Sequence, residues 1–99
     1  MFARVVIGQA PAEKADAVSR IMNDIALARA RTSPGFQDGV WLFDRQSGKI
    51  LAVTVWDTRE SLEAAFPASG LLTEVSTALQ ALGASGQPTI EVYEVLAKA

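Results

Sequence analysis

Residues with apolar or β-branched side chains concentrate in four short segments, each bounded by turn residues or by a stretch with helical spacing. Such segments are typical of β-strands. The predicted strands cover residues 2–8, 36–44, 49–56 and 89–96. The tetrapeptide RQSG at 45–48 separates the second strand from the third. It predicts a hairpin turn, because Gly48 can adopt a positive φ.

In the stretch after the first strand, apolar side chains recur with the spacing of a helix. We predict the first helix for this stretch, QAPAEKADAVSRIMNDIALARART. Its apolar side chains recur at i, i+3, i+4 and i+7 and form one stripe, namely Val18, Ile21, Met22 and Ile25. Pro11 suits the first position of a helix, and the tripeptide SPG at 33–35 ends it.

The second helix is predicted to begin directly after Trp56, the last residue of the third strand. Asp57 and Glu60 have the spacing of a capping box, in which a side-chain oxygen accepts a hydrogen bond from a free backbone N–H. Pro67 and Gly70 interrupt this helix, and the segment LLTEVSTALQAL resumes it.

The predicted elements follow one another in the order β-α-β-β-α-β, with no internal repeat. Residues 1–99 therefore form a single domain of the α+β class. The order is typical of the ferredoxin-like arrangement, a four-stranded antiparallel sheet with helices on one face.

Both faces of the predicted sheet are apolar, although two helices can cover only one of them. In the first strand Val5 and Ile7 face away from Arg4 and Val6, because alternate side chains of a strand point to opposite faces. A sheet with one face in water normally carries polar residues there. We therefore expect the same face of a second copy to cover it, so that two chains form a homodimeric α+β barrel. A monomer with an unusually apolar face is the alternative.

Composition agrees with burial against a partner. The hydrophobic fraction is 49% and the mean hydropathy +0.20 in a chain of 99 residues, which is short for building a large core of its own. The net charge is −2 and the charges are scattered, so nucleic acid is not an expected partner. The N-terminus is apolar for only a few residues. It therefore predicts neither a signal peptide nor a membrane span, and we expect a cytoplasmic protein.

The chain has no cysteine and no histidine. Disulfides, thiolate nucleophiles and zinc–sulfur sites are therefore excluded, and so are the commonest neutral-pH general base and metal ligand. Carboxylates, lysines and Tyr93 are the remaining groups for acid–base work. We expect no metal and no cofactor.

Three segments resemble the antibiotic biosynthesis monooxygenase-like family of dimeric α+β barrel proteins. They are SPGF after the first helix, DRQSG at the hairpin, and VTVWDTRESLEAA across the third strand and second helix. The resemblance covers nearly the whole chain in element order and implies the fold and the homodimer. The family includes cofactor-independent monooxygenases that oxidise aromatic polyketides or quinols with O₂, haem-degrading monooxygenases, and members with no known reaction. Fold alone does not choose among them.

Haem degradation is not expected from this resemblance. The tryptophan that closes the third strand in many members matches Trp56. The haem-degrading members also use a later tryptophan and an iron-binding histidine, and counting forward places those positions at Ala65 and Val75. They use an asparagine in the first strand as well, whereas the one asparagine here, Asn23, belongs to the first helix. Haem would need another ligand.

For the cofactor-independent branch, the candidate catalytic residues are Arg4, Trp56 and Tyr93, and the candidate substrate-binding aromatics are Trp41, Phe43 and Phe66. Arg4 stands mid-strand among apolar neighbours, where it could stabilise an anionic substrate. A carboxylate would serve as the base, from among Glu91, Glu94 and Asp44. As alternatives, Trp56 is a core or interface aromatic, and Arg4 crosses a subunit interface to pair with Glu91 or Glu94.

Two functional hypotheses follow. In the first, the chain is a cofactor-independent monooxygenase that acts on a small aromatic or quinol-like metabolite. In the second, it is a non-catalytic dimer that binds a small apolar ligand or stabilises an assembly. The sequence leaves open which face of the sheet lines a pocket. A closed cavity of a few hundred cubic ångströms, lined by aromatics with Arg4 or a carboxylate, would favour the enzyme.

Overall fold

Four strands pair into one antiparallel sheet with the spatial order β2-β3-β1-β4. The strands are β1 (Phe2–Gln9), β2 (Phe36–Phe43), β3 (Lys49–Trp56) and β4 (Thr89–Glu94). The structure is a computed structural model that describes residues 1–68, 71–84, 86 and 88–99, with only the backbone for 66–68 and 71–73. All four predicted strands are present, and the ferredoxin-like α+β arrangement is confirmed.

Helices occupy the two predicted stretches. The first stretch is continuous from residue 12 to 32 and changes its winding along the way. It comprises a 3₁₀ turn (Ala12–Lys14), α1 (Ala15–Ile21), a π-helical segment (Met22–Leu27) and α2 (Ala28–Thr32). The second stretch is divided into α3 (Arg59–Ala68) and α4 (Leu71–Ala81). α3 continues one residue past Pro67, where an interruption was predicted, and the other predicted position, Gly70, lies outside the described residues.

Glycines with positive φ stand at two turns that connect secondary-structure elements. Gly35 has a φ of 85° and joins α2 to β2, and Gly48 has a φ of 79° at the end of the hairpin. A side chain at Gly48 would collide with the carbonyl oxygen of Ala10. In the same hairpin, Asp44 accepts a hydrogen bond at 2.8 Å from the backbone N–H of Gln46. The hairpin predicted from RQSG is therefore confirmed.

The cap of α3 differs from the prediction by one residue. The hydroxyl of Thr58 accepts a hydrogen bond at 3.1 Å from the backbone N–H of Ser61, which makes Thr58 the capping residue. The carboxylate of Asp57 instead accepts from the N–H of Thr58 itself, at 2.6 Å. The chain turns tightly out of β3, so the residue that follows Trp56 still belongs to the turn.

The helices cover one face of the sheet, which we call the inner face. Arg4 lies opposite Thr54 in the β1–β3 pairing, and both are buried there together with Trp56. The other face, called the open face, carries the predicted second apolar set. Val40 and Leu42 of β2 are about half exposed on it, at 48% and 49%.

The hydrophobic core has two parts. One lies under the first helical stretch, where Val18, Met22 and Ala26 pack against Ile50 of β3. The other surrounds Trp56, which packs with Leu62 and Ala65 of α3. Both parts lie between the inner face and the helices.

None of the helices in the described part of the chain has the length and apolar character needed to span a bilayer. The cytoplasmic location stays a prediction.

Candidate functional site

Arg4 is the buried cation at the centre of the inner face. It stands mid-strand in β1, between Thr54 of β3 and Val92 of β4, and only 3% of its surface is exposed. Burial lowers the pKa of the Arg4 guanidinium, because the apolar surroundings disfavour the charged form. A guanidinium is charged at neutral pH even so, since its ordinary pKa lies far above neutrality. The sheet therefore holds a positive charge under the helices.

Trp56 contacts the guanidinium of Arg4 through its indole ring. The centre of the Arg4 guanidinium lies 5.8 Å from the centroid of the indole, within the range of a cation–π interaction. The indole is fully buried, and its Nε1–H donates a hydrogen bond at 3.0 Å to the hydroxyl of Thr54. Phe36 meets it edge-on, with ring centroids 5.5 Å apart and an interplanar angle of 70°. These contacts hold the ring in one orientation.

A cavity of about 70 Å³, called the inner chamber, opens beside Arg4 between the sheet and the helices. Its polar lining in the described residues consists of Arg4, Thr54 and Ser76. The remaining described lining residues are mostly apolar and come from β1–β3, the π-helical segment, α4 and the loop before β4: Val6, Gly8, Met22, Ala26, Trp41, Ile50, Ala52, Val75, Leu79 and Pro88. A positive charge thus faces a small, largely apolar space.

Gly39 makes room for the Trp41 indole that lines this chamber. A Cβ at Gly39 would stand 2.9 Å from Trp41 Cη2, closer than such atoms approach in proteins, and 3.1 Å from Phe36 Cζ, which is a tight contact. Both residues lie two or three positions away on the same strand. The absence of a side chain at Gly39 therefore lets the indole lie along β2 at the wall of the chamber.

A second cavity, called the outer groove, adjoins the inner chamber and has a volume of about 290 Å³. Gly8, Ser76, Leu79 and Pro88 line both spaces. The outer groove also touches Ile7, Gln9, Gln80 and Ala84. It lies between α4 and the β1 side of the sheet, and it opens to solvent.

The predicted site residues separate into two groups. Arg4, Trp56 and Trp41 lie on the inner face. Arg4 and Trp41 line the inner chamber, whereas Trp56 contacts Arg4 and is not among the described residues that line the chamber. Phe43 lies on the same face but packs into the core beside Ile50, and it is not among the described residues that line the chamber. Phe66 belongs to α3, and its side chain lies outside the described residues.

Tyr93 lies on the open face, opposite Ala3 of β1, and is half exposed. It is therefore separated from Arg4 by the thickness of the sheet. The negative charge of Glu91 raises the pKa of the Tyr93 hydroxyl. A role for Tyr93 in the inner chamber is not compatible with this position in a single chain.

The three carboxylates considered as a base lie elsewhere. Glu91 is on the open face, opposite Val5, and Glu94 is exposed at the end of β4. Asp44 belongs to the hairpin turn, where hydrogen bonds from Gln46 and Ser47 lower the pKa of its carboxyl group. No carboxylate is found among the described residues that line the inner chamber.

Burial on the inner face also removes one alternative for Arg4. A side chain that points under the helices cannot cross an interface between two open sheet faces. Trp56, by contrast, is both a core aromatic and the neighbour of Arg4.

Sequence reasoning missed several lining residues. Met22 belongs to the apolar stripe of the first predicted helix and Leu79 to the resumed second helix, and neither pattern indicates which residues border a cavity. Thr54 could have been found, because it is the one polar side chain between Ile50 and Trp56 on its face of β3. Ser76 offers no sequence signal. The residues that the structure describes contain no group of three or more acidic, histidine or cysteine side chains that could hold a metal ion.

No protein-family model and no curated protein matches the chain. Solved structures do. A Deinococcus radiodurans protein named as an antibiotic biosynthesis monooxygenase is 24% identical, with a TM-score of 0.79 over 100% of this chain and 96% of that one. The Streptomyces coelicolor ActVA-Orf6 monooxygenase, in complex with nanaomycin D, is 18% identical, with a TM-score of 0.76 over 99% and 89%. SnoaB, a cofactor-independent oxygenase from Streptomyces nogalater, is 22% identical, with a TM-score of 0.67 over 98% and 94%.

At these identities the likeness establishes the fold and leaves the activity to be argued from the site. The chain has the ferredoxin-like α+β fold of the solved antibiotic biosynthesis monooxygenases, the family that its sequence resembles.

Proposed function

We propose that the chain is a cofactor-independent monooxygenase that oxidises a small aromatic or quinol-like metabolite with O₂ beside Arg4. The observation that carries the proposal is the buried guanidinium at the wall of a largely apolar chamber. Structures of the same fold that are named as monooxygenases and as a cofactor-independent oxygenase support the kind of reaction.

Arg4 supplies the electrostatic part of the mechanism. Opposite unit charges about 4 Å apart attract by about 4 kcal/mol at an effective dielectric constant of about 20. That attraction corresponds to a fall of up to about 3 units in the pKa of a bound phenol or enol, before the cost of desolvation. A weakly acidic substrate can then ionise near neutral pH as it enters from solvent, and its proton passes to bulk water before the lining encloses the anion. The mechanism therefore does not require a carboxylate in the chamber.

The substrate anion is the reductant. For an anthrone-type methylene flanked by two aryl groups, the carbanion transfers an electron to O₂, and the radical pair combines to form a C–O bond. Protonation then gives a hydroperoxide, which loses water to leave a ketone. The net reaction converts CH₂ and O₂ into C=O and H₂O. The protein holds the anion at Arg4 and excludes water with the apolar lining.

Oxygen uptake tests the proposal. Wild type should consume O₂ with members of a panel of anthrones and hydroquinones, above the rate of the same mixture without protein. Arg4→Met and Arg4→Ala should lower kcat/KM by at least about tenfold, equivalent to about 1.4 kcal/mol. Trp56→Phe should reduce it less. Arg20→Met, at an exposed arginine of α1, is the matched control and should behave as wild type. Uptake at the background rate by all variants and by wild type would remove the proposal for these substrates.

A non-catalytic ligand-binding role is the second candidate, and the size of the chamber favours it. A volume of about 70 Å³ is smaller than that of ordinary pockets for small molecules, which start near 300 Å³. It also falls below the few hundred cubic ångströms that would favour the enzyme. Tight binding of an oxidisable aromatic anion, with Arg4 dependence and without O₂ uptake, would select this role.

A second copy on the open face is the proposed partner. Val40 and Leu42 are half exposed there, beside Leu51 and Val53 of β3. A two-fold axis would place the same apolar surface on both sides of the contact and remove it from water. Sedimentation at micromolar concentration should give a dimer. Leu42→Lys should shift it towards monomer, whereas Thr77→Lys, on the exposed side of α4, should not. A wild type that sediments as a monomer would contradict the dimer.

A further inference from the structure

The inner chamber and the outer groove are neighbouring cavities with a common boundary. Ser76 and Leu79, one helical turn apart on α4, form one side of that boundary. Gly8 of β1 and Pro88 form the other side. The two spaces thus adjoin at a wall formed by α4, β1 and residue 88.

Gly8 brings no side chain into this junction. Among the described residues, no atom lies within 4 Å of the place where a Cβ would stand on Gly8. Its neighbour across the sheet, Ile50, is buried on the same face. The glycine therefore leaves open space at the point where a ligand would pass from one cavity to the other.

Polarity changes along the two cavities. The inner end carries the guanidinium of Arg4 and the hydroxyl of Thr54. The outer groove carries no charged side chain among the described residues and is lined by Ile7, Leu79 and Ala84 together with the polar residues Gln9, Ser76 and Gln80. A ligand that fits both cavities in this order has an anionic head for Arg4 and a mostly apolar body for the outer groove.

Size points to the same division. About 70 Å³ is enough for a carboxylate or a phenolate edge, whereas a fused ring system needs the further 290 Å³ of the outer groove. A ligand held only in the outer groove would not reach the cation.

We propose that the two cavities form one elongated site for a planar aromatic anion, with its single anionic group at Arg4 and its rings passing Gly8 into the outer groove. The inference rests on the proposed location of the substrate site and names the substrate class. Gly8, Ser76 and Leu79 then determine specificity, because they decide which ring systems fit through the junction.

Binding measured with ligands that cannot be oxidised by this route tests the proposal. The probes are 2-naphthoate, its neutral analogue 2-naphthamide, and acetate as the head alone, titrated by calorimetry or by chemical shifts. Wild type should bind 2-naphthoate at least tenfold tighter than 2-naphthamide, and Arg4→Met should abolish that preference. Gly8→Leu should lower the affinity for 2-naphthoate at least tenfold and leave the chemical-shift changes that acetate induces near Arg4 the same as in wild type. Thr77→Leu, exposed on α4, is the control and should match wild type.

The outcomes separate this inference from the oxidase proposal. If 2-naphthoate binds with its carboxylate at Arg4 and anthrones cause no O₂ uptake, the elongated site is supported and the oxidase proposal is refuted. Equal affinity for naphthoate and naphthamide, or unchanged naphthoate binding in a folded Gly8→Leu variant, overturns the elongated site even when oxygen is consumed. If Gly8→Leu does not fold, Leu79→Trp narrows the same junction from the side of α4 and is judged by the same criteria.

Discussion

The hydrogen bond between Trp56 and Thr54 allows a quantitative test of how the site is built. The indole is fully buried, and its Nε1–H donates at 3.0 Å to a threonine hydroxyl that is itself 3% exposed. Phenylalanine at 56 removes the donor and the larger ring, whereas valine at 54 removes the acceptor with almost no change of shape. The two single variants and the double variant form a double-mutant cycle.

The magnitude follows from burial. Leaving one buried partner without the other costs about 1–3 kcal/mol. We therefore expect Thr54→Val to lower the free energy of unfolding by about 1–2 kcal/mol. Trp56→Phe loses the same bond and leaves a void of roughly 40 Å³, worth ~1 kcal/mol at about 24 cal/mol per Å³. Its total is about 2–4 kcal/mol. The double variant should be more stable than the sum of the two losses predicts by about 1 kcal/mol, because the bond can be lost only once.

Urea unfolding of the four proteins at one protomer concentration measures these free energies, since dimerisation would make the apparent stability depend on concentration. A difference of 1 kcal/mol corresponds to about 4–8 °C in Tm for a domain of this size. Thr89→Val is the control, at an exposed position of β4, and should change stability by less than about 0.5 kcal/mol. Additivity within about 0.3 kcal/mol would show that the hydrogen bond contributes nothing, and the argument for a fixed indole beside Arg4 would fail.

Three further predictions concern the surrounding fold. Gly48→Ala should lower the free energy of unfolding by more than about 2 kcal/mol, because it combines a positive φ with a backbone collision. Gly83→Ala, with a φ of 101° and only an ordinary contact at 3.5 Å to Pro11 Cγ, should cost about 1 kcal/mol, and equal losses in urea titrations would contradict this. The pKa of Asp44 is lowered in the folded state, so its carboxylate contributes stability above its ordinary pKa of 3.8, and that stability disappears as the pH falls through the lower folded-state pKa. Asp44→Asn should therefore flatten the decline of the urea midpoint below about pH 4. An unchanged decline would refute this role of Asp44. The side chains of Arg29 and Glu74 form an ion pair at 2.6 Å and are about half exposed. Their coupling energy in a double-mutant cycle should be less than about 1 kcal/mol and should decrease further in about 1 M salt. A larger coupling energy that does not depend on salt would contradict this prediction.

The sequence alone was sufficient for the architecture, because alternation and helical spacing are local properties of the chain. The four strands, the order of the elements and the hairpin at Gly48 follow from patterns that need only neighbouring residues. The helix cap was displaced from Asp57 to Thr58, since the exact position of a cap depends on how tightly the chain turns out of β3. The alternation of side chains along a strand also places Arg4 and Val5 on opposite faces of β1.

The tertiary structure alone decided which face the helices cover. Both faces are apolar, so the pattern is equally compatible with either assignment, and only packing places Arg4 and Trp56 inside and Val40 outside. The position of Tyr93 depends on the register between β4 and β1, which joins residues about 90 positions apart in the chain. Likewise, the contact of Ser76 with the inner chamber depends on how α4 lies across the sheet. These are relations between distant segments, and a local pattern of side chains contains no information about the distance or the angle at which two segments meet.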